Sequence, residues 1–355
     1  MKQIIVTGGR GEVGRAAVAL LRSLDYRVTV VGRSPGGLEA DYRQCDIFDA
    51  QALADVCSGA DLVLNAAGPS SVIGARVARA ALLAGAGYVD VAGDPPLWRE
   101  IAQDGSLQHA LSHRACVLGA GLTPGLAAML PRYALARLAH VSHITLYGGG
   151  IERFTAVSAA DFIASLNPYQ EQGRAGTVIA NGEMQRATAQ QRVKVPTAAR
   201  PFDALPFLSF ELEQLAGEFG LGNLAAYSLV ADAQMLLACQ QQDEAQAELV
   251  RLSGELTAAE GEQQHFWLQA RGIQAGQPVN LELRLRFGNS YCLTGSVAAL
   301  AADALLRQSA NGLKWLPQVL TAEPLLNALH ARGLLAQFTA SVLPAEQPQF
   351  TEGEL

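Results

Sequence analysis

A chain of 355 residues, half of them hydrophobic and 17% charged, is too long for one ordinary core and fits two globular domains. The net charge is −7, no basic run occurs, and only Lys2, Lys194 and Lys314 are Lys among 26 basic residues, which excludes a nucleic-acid binder. No uncharged apolar run reaches the ~18 residues of a membrane span, and five scattered cysteines without a CxxC exclude a disulfide framework or a cysteine zinc site.

The first strand is expected over residues 4–6 (Ile4, Ile5, Val6), too early for a signal peptide to precede it, so a cytoplasmic, reducing setting is expected. The strand stops at Gly8-Gly9-Arg10-Gly11-Glu12-Val13-Gly14. Apolar residues then recur at Val13, Ala17, Leu20, Leu21 and Leu24, one face of a helix, before a second strand over 28–31. Strand, glycine-rich turn, helix and strand are the context in which Gly9, Gly11 and Gly14 read as a GxGxxG dinucleotide fingerprint. Gly9 and Gly11 are expected to let the backbone approach a pyrophosphate, and Gly14 to let helix and strand pack closely. The helix N-terminus supplies free N–H groups to the anion. Expected contacts from this segment are Thr7, Gly8, Gly9, Gly11, Glu12, Val13 and Gly14.

The end of the second strand selects the cofactor. An NAD site usually carries Asp or Glu there, for the ribose 2′-hydroxyl. Here the sequence is Val31-Gly32-Arg33-Ser34, with no acid before Glu39. Arg33 offers a planar, permanent cation to a 2′-phosphate and Ser34 a further donor, so NADP(H) is expected over NAD(H). The competing reading makes Arg33 a solvated loop cation. Asp46, with Ile47, suits either the adenine edge or the cap of a helix over 50–57.

The βα rhythm continues through strands at 61–65, 88–91 and 116–118 and helices over 73–84 and 97–113. The expected fold class is therefore α/β, a Rossmann-type doubly wound parallel sheet with ligands beyond the carboxyl ends of its strands. His109 and His113 share an i, i+4 spacing without a third ligand, and no HExxH occurs, so no metal is expected. Past residue 140 the pattern changes. A strand over 143–147 ends at Gly148-Gly149-Gly150, and strands are expected over 177–185, 190–195, 266–272 and 279–287, with helices over 223–241 and 244–258. The period-two alternation Val279, Leu281, Leu283, Leu285, Phe287 predicts a second α/β (α+β) domain with a mixed or antiparallel sheet. Its one wet face suggests a homodimer. An Ala/Leu-rich helix over 294–309 is expected to return to the first domain. The expected division is 1–125 for dinucleotide binding, completed by helices about 294–340, then 126–293 for substrate binding and dimerisation, and a polar tail at 341–355.

On the segments VTGGRGEVG, VLNAAGPSSVIGARVARAALLAGAGYVDVAGD (63–94), GAGLTPGLAAMLPRYAL (119–135) and GIQAGQPVNLELRLRFGNSYCLTGSVAALAADAL, the chain resembles the saccharopine dehydrogenase-like (saccharopine reductase) NADP-binding family over nearly its whole length. The resemblance implies a Rossmann domain completed from the C-terminus, an inserted substrate domain, and hydride exchange at a C–N bond. It implies that the loop holding Ala66, Ala67, Gly68 and Pro69 touches the nicotinamide-side ribose. It also implies that the loop holding Thr123 and Pro124 lies near the nicotinamide ring.

A short-chain dehydrogenase donor, Tyr with Lys four residues on, is absent, so iminium reduction fits better than ketone chemistry by that route: an imine can arrive protonated. Candidate catalytic groups are Asp94, which reads first as a helix N-cap before Pro95-Pro96, and Tyr169, which reads first as a packed aromatic. Asp90 shares a strand end with Asp94. Arg153 and Arg174 are candidates to clamp a substrate carboxylate, against plain surface solvation. The expectation is an NADPH-dependent oxidoreductase reducing a C=N bond in a small amino-acid-derived or heterocyclic substrate. The alternatives are a C=C or C=O reductase using a different acid, and a non-catalytic NADP(H)-binding sensor or scaffold.

Overall fold

The computed structural model describes residues 1–35, 41–166, 171, 173–239, 244–308 and 310–345. Six strands open the chain: β1 (Gln3–Thr7), β2 (Arg27–Gly32), β3 (Tyr42–Gln44), β4 (Leu62–Asn65), β5 (Gly87–Asp90) and β6 (Ala115–Leu118). Nine follow: β7 (Ala139–Ile151), β8 (Gly173–Ala175), β9 (Thr177–Ala180), β10 (Glu183–Arg186), β11 (Gln190–Val193), β12 (Phe202–Ser209), β13 (Leu224–Val230), β14 (Gln263–Gln274) and β15 (Gln277–Phe287). The last two are β16 (Gly312–Trp315) and β17 (Gln337–Pro344).

The first sheet has seven strands, all parallel, in the order β16-β6-β5-β4-β1-β2-β3. β4, β5 and β6 are buried at every position, as strands covered by helices on both faces must be. The second sheet is mixed: ten strands, with β10-β9-β13-β7-β14-β15-β17 as its main path and only β7 and β13 parallel. This is the expected two-part α/β architecture.

One apolar core joins the two sheets. It takes Ile4 and Val6 from the first, Leu146, Phe266 and Leu283 from the second, and Leu126, Met129 and Leu130 from the helix Leu126–Leu135 between them. The helix Ser290–Arg307 lies against the helix Glu12–Ser23. A Cβ at Gly295 would sit 2.2 Å from the carbonyl oxygen of Val13, so only glycine permits that approach.

Several sequence expectations change. The strand expected over 177–185 is a hairpin, β9 and β10, because Asn181-Gly182 adopts positive φ at both positions and makes the tight turn. Gly148–Gly150 does not end a strand but runs inside β7. A Cβ at Gly148 would meet Phe266 at 2.5 Å, and one at Gly150 the Gln263 carbonyl at 2.1 Å, so these glycines let β7 and β14 close up. The helix expected over 223–241 is β13 followed by the short helix Ala233–Ala238. The first residues of the expected polar tail, 341–344, belong to β17, which pairs along β15. β17 and β16 therefore add to different sheets.

Candidate active site

Thr7, Asn65 and Asp90 end β1, β4 and β5 in register, side by side on the carboxyl edge of the parallel sheet. The Thr7 hydroxyl donates to Asn65 Oδ1 at 2.6 Å, and Asn65 Nδ2 donates to Asp90 Oδ2 at 3.0 Å. Tyr88 OH donates to the same Asp90 oxygen, and the Ala92 N–H donates to Asp90 Oδ1 at 2.9 Å. Burial pushes the Asp90 carboxyl up to about 6, against the opposing pull of these donors, Tyr88 first. Thr7 was expected to contact the cofactor. It is fully buried and spends its hydroxyl on Asn65, so it positions the edge instead.

Above this edge the glycine turn divides its work differently from the expectation. Gly8 has φ +68, and a Cβ there would lie 2.6 Å from Ala67 N, so the turn abuts the loop after β4. Gly9 is buried with its α-carbon against Val30, a packing role, and Gly14 is pressed on the turn itself, 2.2 Å from a Cβ position to Gly8 O. Gly11 is the open one: the nearest atom to its absent Cβ is Gly8 O at 3.3 Å. Gly11 is also the N-cap of the helix Glu12–Ser23 and no side chain caps that end, so the first-turn N–H groups remain for an anion. Glu12 pairs with Arg15 at 2.5 Å on the exposed face. These features fit a dinucleotide pyrophosphate.

At the end of β2, Arg33 and Ser34 are exposed, and Arg33 makes no ion pair with a described residue. The loop is pinned from below: Tyr42 OH donates to Gly32 O at 2.8 Å and Gln44 Nε2 to Arg33 O at 2.9 Å. The structure adds Arg10, which the sequence reading passed over. Its guanidinium lies 4.9 Å from the Tyr42 ring centroid and donates to Pro35 O at 3.1 Å, so a second permanent cation reaches the loop that carries Arg33. Its place between Gly9 and Gly11 was the available signal. Asp46 bonds the Phe48 N–H at 3.0 Å, whereas Asp49 caps the helix Ala50–Cys57, which removes the capping alternative for Asp46. Ile47 is half-buried beside it.

The loops after β5 and β6 are tied together: Gly119 N–H donates to Ala92 O at 2.7 Å and Ala120 N–H to Asp90 O at 2.9 Å. They border a cavity of about 390 Å³ between the two sheets, lined by Ser70, Gly93, Asp94, Thr123 and Pro124 on one side. The second sheet and its helices supply Glu152, Asp161, Phe162, Tyr227, Gln264 and Phe266. Asp94 accepts from Leu97 N–H at 2.9 Å, so it is the expected N-cap, yet it also lines the cavity. Neither Arg153 nor Arg174 lines it; Arg174 pairs with Glu213 at 3.1 Å, and Arg153 is an exposed residue whose carbonyl accepts from Tyr291 OH. Tyr169 lies outside the described residues.

Two carboxylates, Glu211 buried and Glu152 half-buried, escaped the sequence reading because their partners are distant in the chain. Glu211 accepts the Gly125 N–H at 2.8 Å and so holds the loop that carries Thr123 and Pro124; burial raises its carboxyl to about 7, against the pull of Gly125 and Arg132. Glu152 accepts from the Ser290 N–H at 2.9 Å and hydroxyl at 2.6 Å, and burial raises it as well.

An open glycine cradle, a bare helix N-terminus and a cavity along the carboxyl edge of a parallel sheet define a Rossmann-type nucleotide-binding protein. Residues 4–189 match the model of the NAD dependent epimerase/dehydratase family, and the chain belongs to that family. No curated protein matches it by sequence. Among solved structures it is similar to apo saccharopine dehydrogenase (L-Glu forming) from Saccharomyces cerevisiae, with a TM-score of 0.71 and 14% identity over 97% of this chain and 100% of that one. It is similar also to C. glutamicum DAP dehydrogenase in complex with DAP (TM-score 0.51, 17% identity, 93% and 98% covered). An engineered D-amino acid dehydrogenase bound to NADP+ gives a TM-score of 0.51 at 17% identity, with 93% and 99% covered. At these identities the structures establish a shared fold. Family membership supports an NAD(P)-dependent oxidoreductase. No described helix is long and apolar enough to cross a membrane.

Proposed function

We propose that the protein is an NADPH-dependent reductase of a C=N bond in a small substrate, with residues 1–125 holding the nucleotide and 126–293 closing over the substrate. The supporting observation is the make-up of the cavity beside the expected nicotinamide position: Tyr227 is its tyrosine and no Lys lines it among the described residues. A ketone would need a proton from such a pair, whereas an iminium carries its own. When bound, a nicotinamide would supply a hydride for the carbon of the protonated C=N bond, which gives the amine. The chain's part is positional. Thr123 and Pro124, held through Gly125 by Glu211, flank the reacting face, and Asp94 adds a carboxylate to the cavity wall. A homodimer joined through the second sheet belongs to the same reading.

Incubating the protein with NADPH and a panel of cyclic imines and matched ketones tests it: nicotinamide absorbance should fall with imines and hold with ketones. Oxidation by ketones alone, or stable NADPH binding with no oxidation by either set, rules the imine reading out.

The preference for NADPH is assigned to Arg10 and Arg33 together. Replacing either by Ala should weaken NADPH by roughly 1.5–3 kcal/mol, a ten- to hundredfold rise in Kd, and leave NADH within about twofold. Titration calorimetry with both nucleotides measures this; equal losses for the two would remove the 2′-phosphate from the loop after β2.

A further inference from the structure

The cavity has charge of one sign only. Asp94, Glu152 and Asp161 line it, and no Lys, Arg or His does so among the described residues. The residues outside the described set cannot supply one, since none of them is Lys, Arg or His. A substrate carboxylate entering this space would lose water among other carboxylates with no cation to meet it, the arrangement that buried charges avoid.

A second, independent observation shows what the cavity lacks. Gln264 is 6% exposed and lines it, and its carboxamide makes no hydrogen bond with a described residue, so the cavity is what it faces. The amide offers the cavity both its acceptor oxygen and its N–H donors, and beside the carboxylates the oxygen is the atom that suits a cationic N–H. Asp161 stands at the exposed rim of the cavity, without an ion pair or side-chain hydrogen bond to a described residue, and partial desolvation there raises its carboxyl. The rings of Phe162, Tyr227, Phe266 and Phe287 line the same cavity and give it an apolar, aromatic wall suited to a cation.

We propose that the cavity selects an amine or iminium whose nitrogen is cationic, whose body is apolar and which carries no carboxylate. The nitrogen pairs with Asp161 and donates to Gln264, and the phenyl rings enclose the rest. The assignment of the reaction rests on the imine-reductase reading; the binding selectivity stands apart from it and is measured apart from it.

Calorimetric titration of the full chain in the presence of NADP+ with phenethylammonium and with phenylalanine, which differ by the carboxylate alone, is the test. Phenethylammonium should bind at least tenfold more tightly. Asp161→Asn should weaken it at least threefold while leaving NADP+ affinity unchanged. A ratio below tenfold, no binding of the amine, or an unaltered Asp161→Asn overturns the assignment. If the amine binds as expected and no imine oxidises NADPH, the reductase reading fails and the selectivity stands. If imines bearing a carboxylate are the ones reduced, the selectivity fails and the reductase reading stands.

Discussion

Gly14→Ala should cost the folded protein roughly 3 kcal/mol and remove measurable NADPH binding. The added methyl would lie 2.2 Å from Gly8 O and 2.5 Å from Gly9 Cα, and both are backbone atoms of the same turn, so no side-chain rotation relieves the contact. Relief requires the start of the helix Glu12–Ser23 to move away from the turn. That movement carries off the first-turn N–H groups and opens the cradle at Gly11, so stability and affinity fall together. Gly295→Ala is the control: its methyl would press on Val13 O and Ala17 N from the helix Ser290–Arg307, destabilising the helix pair without filling the turn. Denaturant unfolding and NADPH titration of both variants separate packing from binding. An unchanged NADPH Kd in Gly14→Ala would show that the glycine turn holds no diphosphate.

The same turn shows why the first half of the fold was readable. Its determinants lie within one continuous stretch: an apolar strand, glycines at fixed offsets, a helical face, a second strand. β13 shows the opposite. Leu224–Val230 is rich in Ala and Leu and reads locally as helix, but β7 and β12 flank it with unpaired edges, and their ladder outweighs a local preference of a fraction of a kcal/mol per residue. Gly148–Gly150 misled in the same way, because a close strand approach and a chain break look alike until the partner β14 is known. At the site, the local parts could be anticipated and the long-range parts could not. Arg10 sat inside the motif and was legible. Glu211 reaches Gly125 across 86 positions, and nothing near either residue announces the other. The substrate clamp misplaced at Arg153 and Arg174 came from residue type alone, without the cavity that decides which charges matter.

Glu211 also gives a large pH effect near neutrality. Its folded carboxyl is raised from 4.5 to about 7 by burial, so the folded state holds a proton that the unfolded chain releases. The stability conferred by that proton is complete below the unfolded value and is lost as pH rises through about 7. Asp90, raised from 3.8 to about 6, acts in the same direction over a lower window, and His265, lowered to about 4 by burial and Arg286, acts in the opposite one. A single pH curve mixes the three. Glu211→Gln isolates one, because the Gln carbonyl still accepts the Gly125 N–H while Asp90 and His265 are common to both proteins. Between pH 7 and pH 5, wild type should gain about 2 kcal/mol of unfolding free energy relative to Glu211→Gln. Above pH 8 the variant should be the more stable, since it buries no charge beneath the loop. Denaturant titrations of both proteins at pH 5, 7 and 8 measure the difference. If the gap between them is the same at all three values, Glu211 is ionised throughout and the Gly121–Gly125 loop rests on a permanent carboxylate.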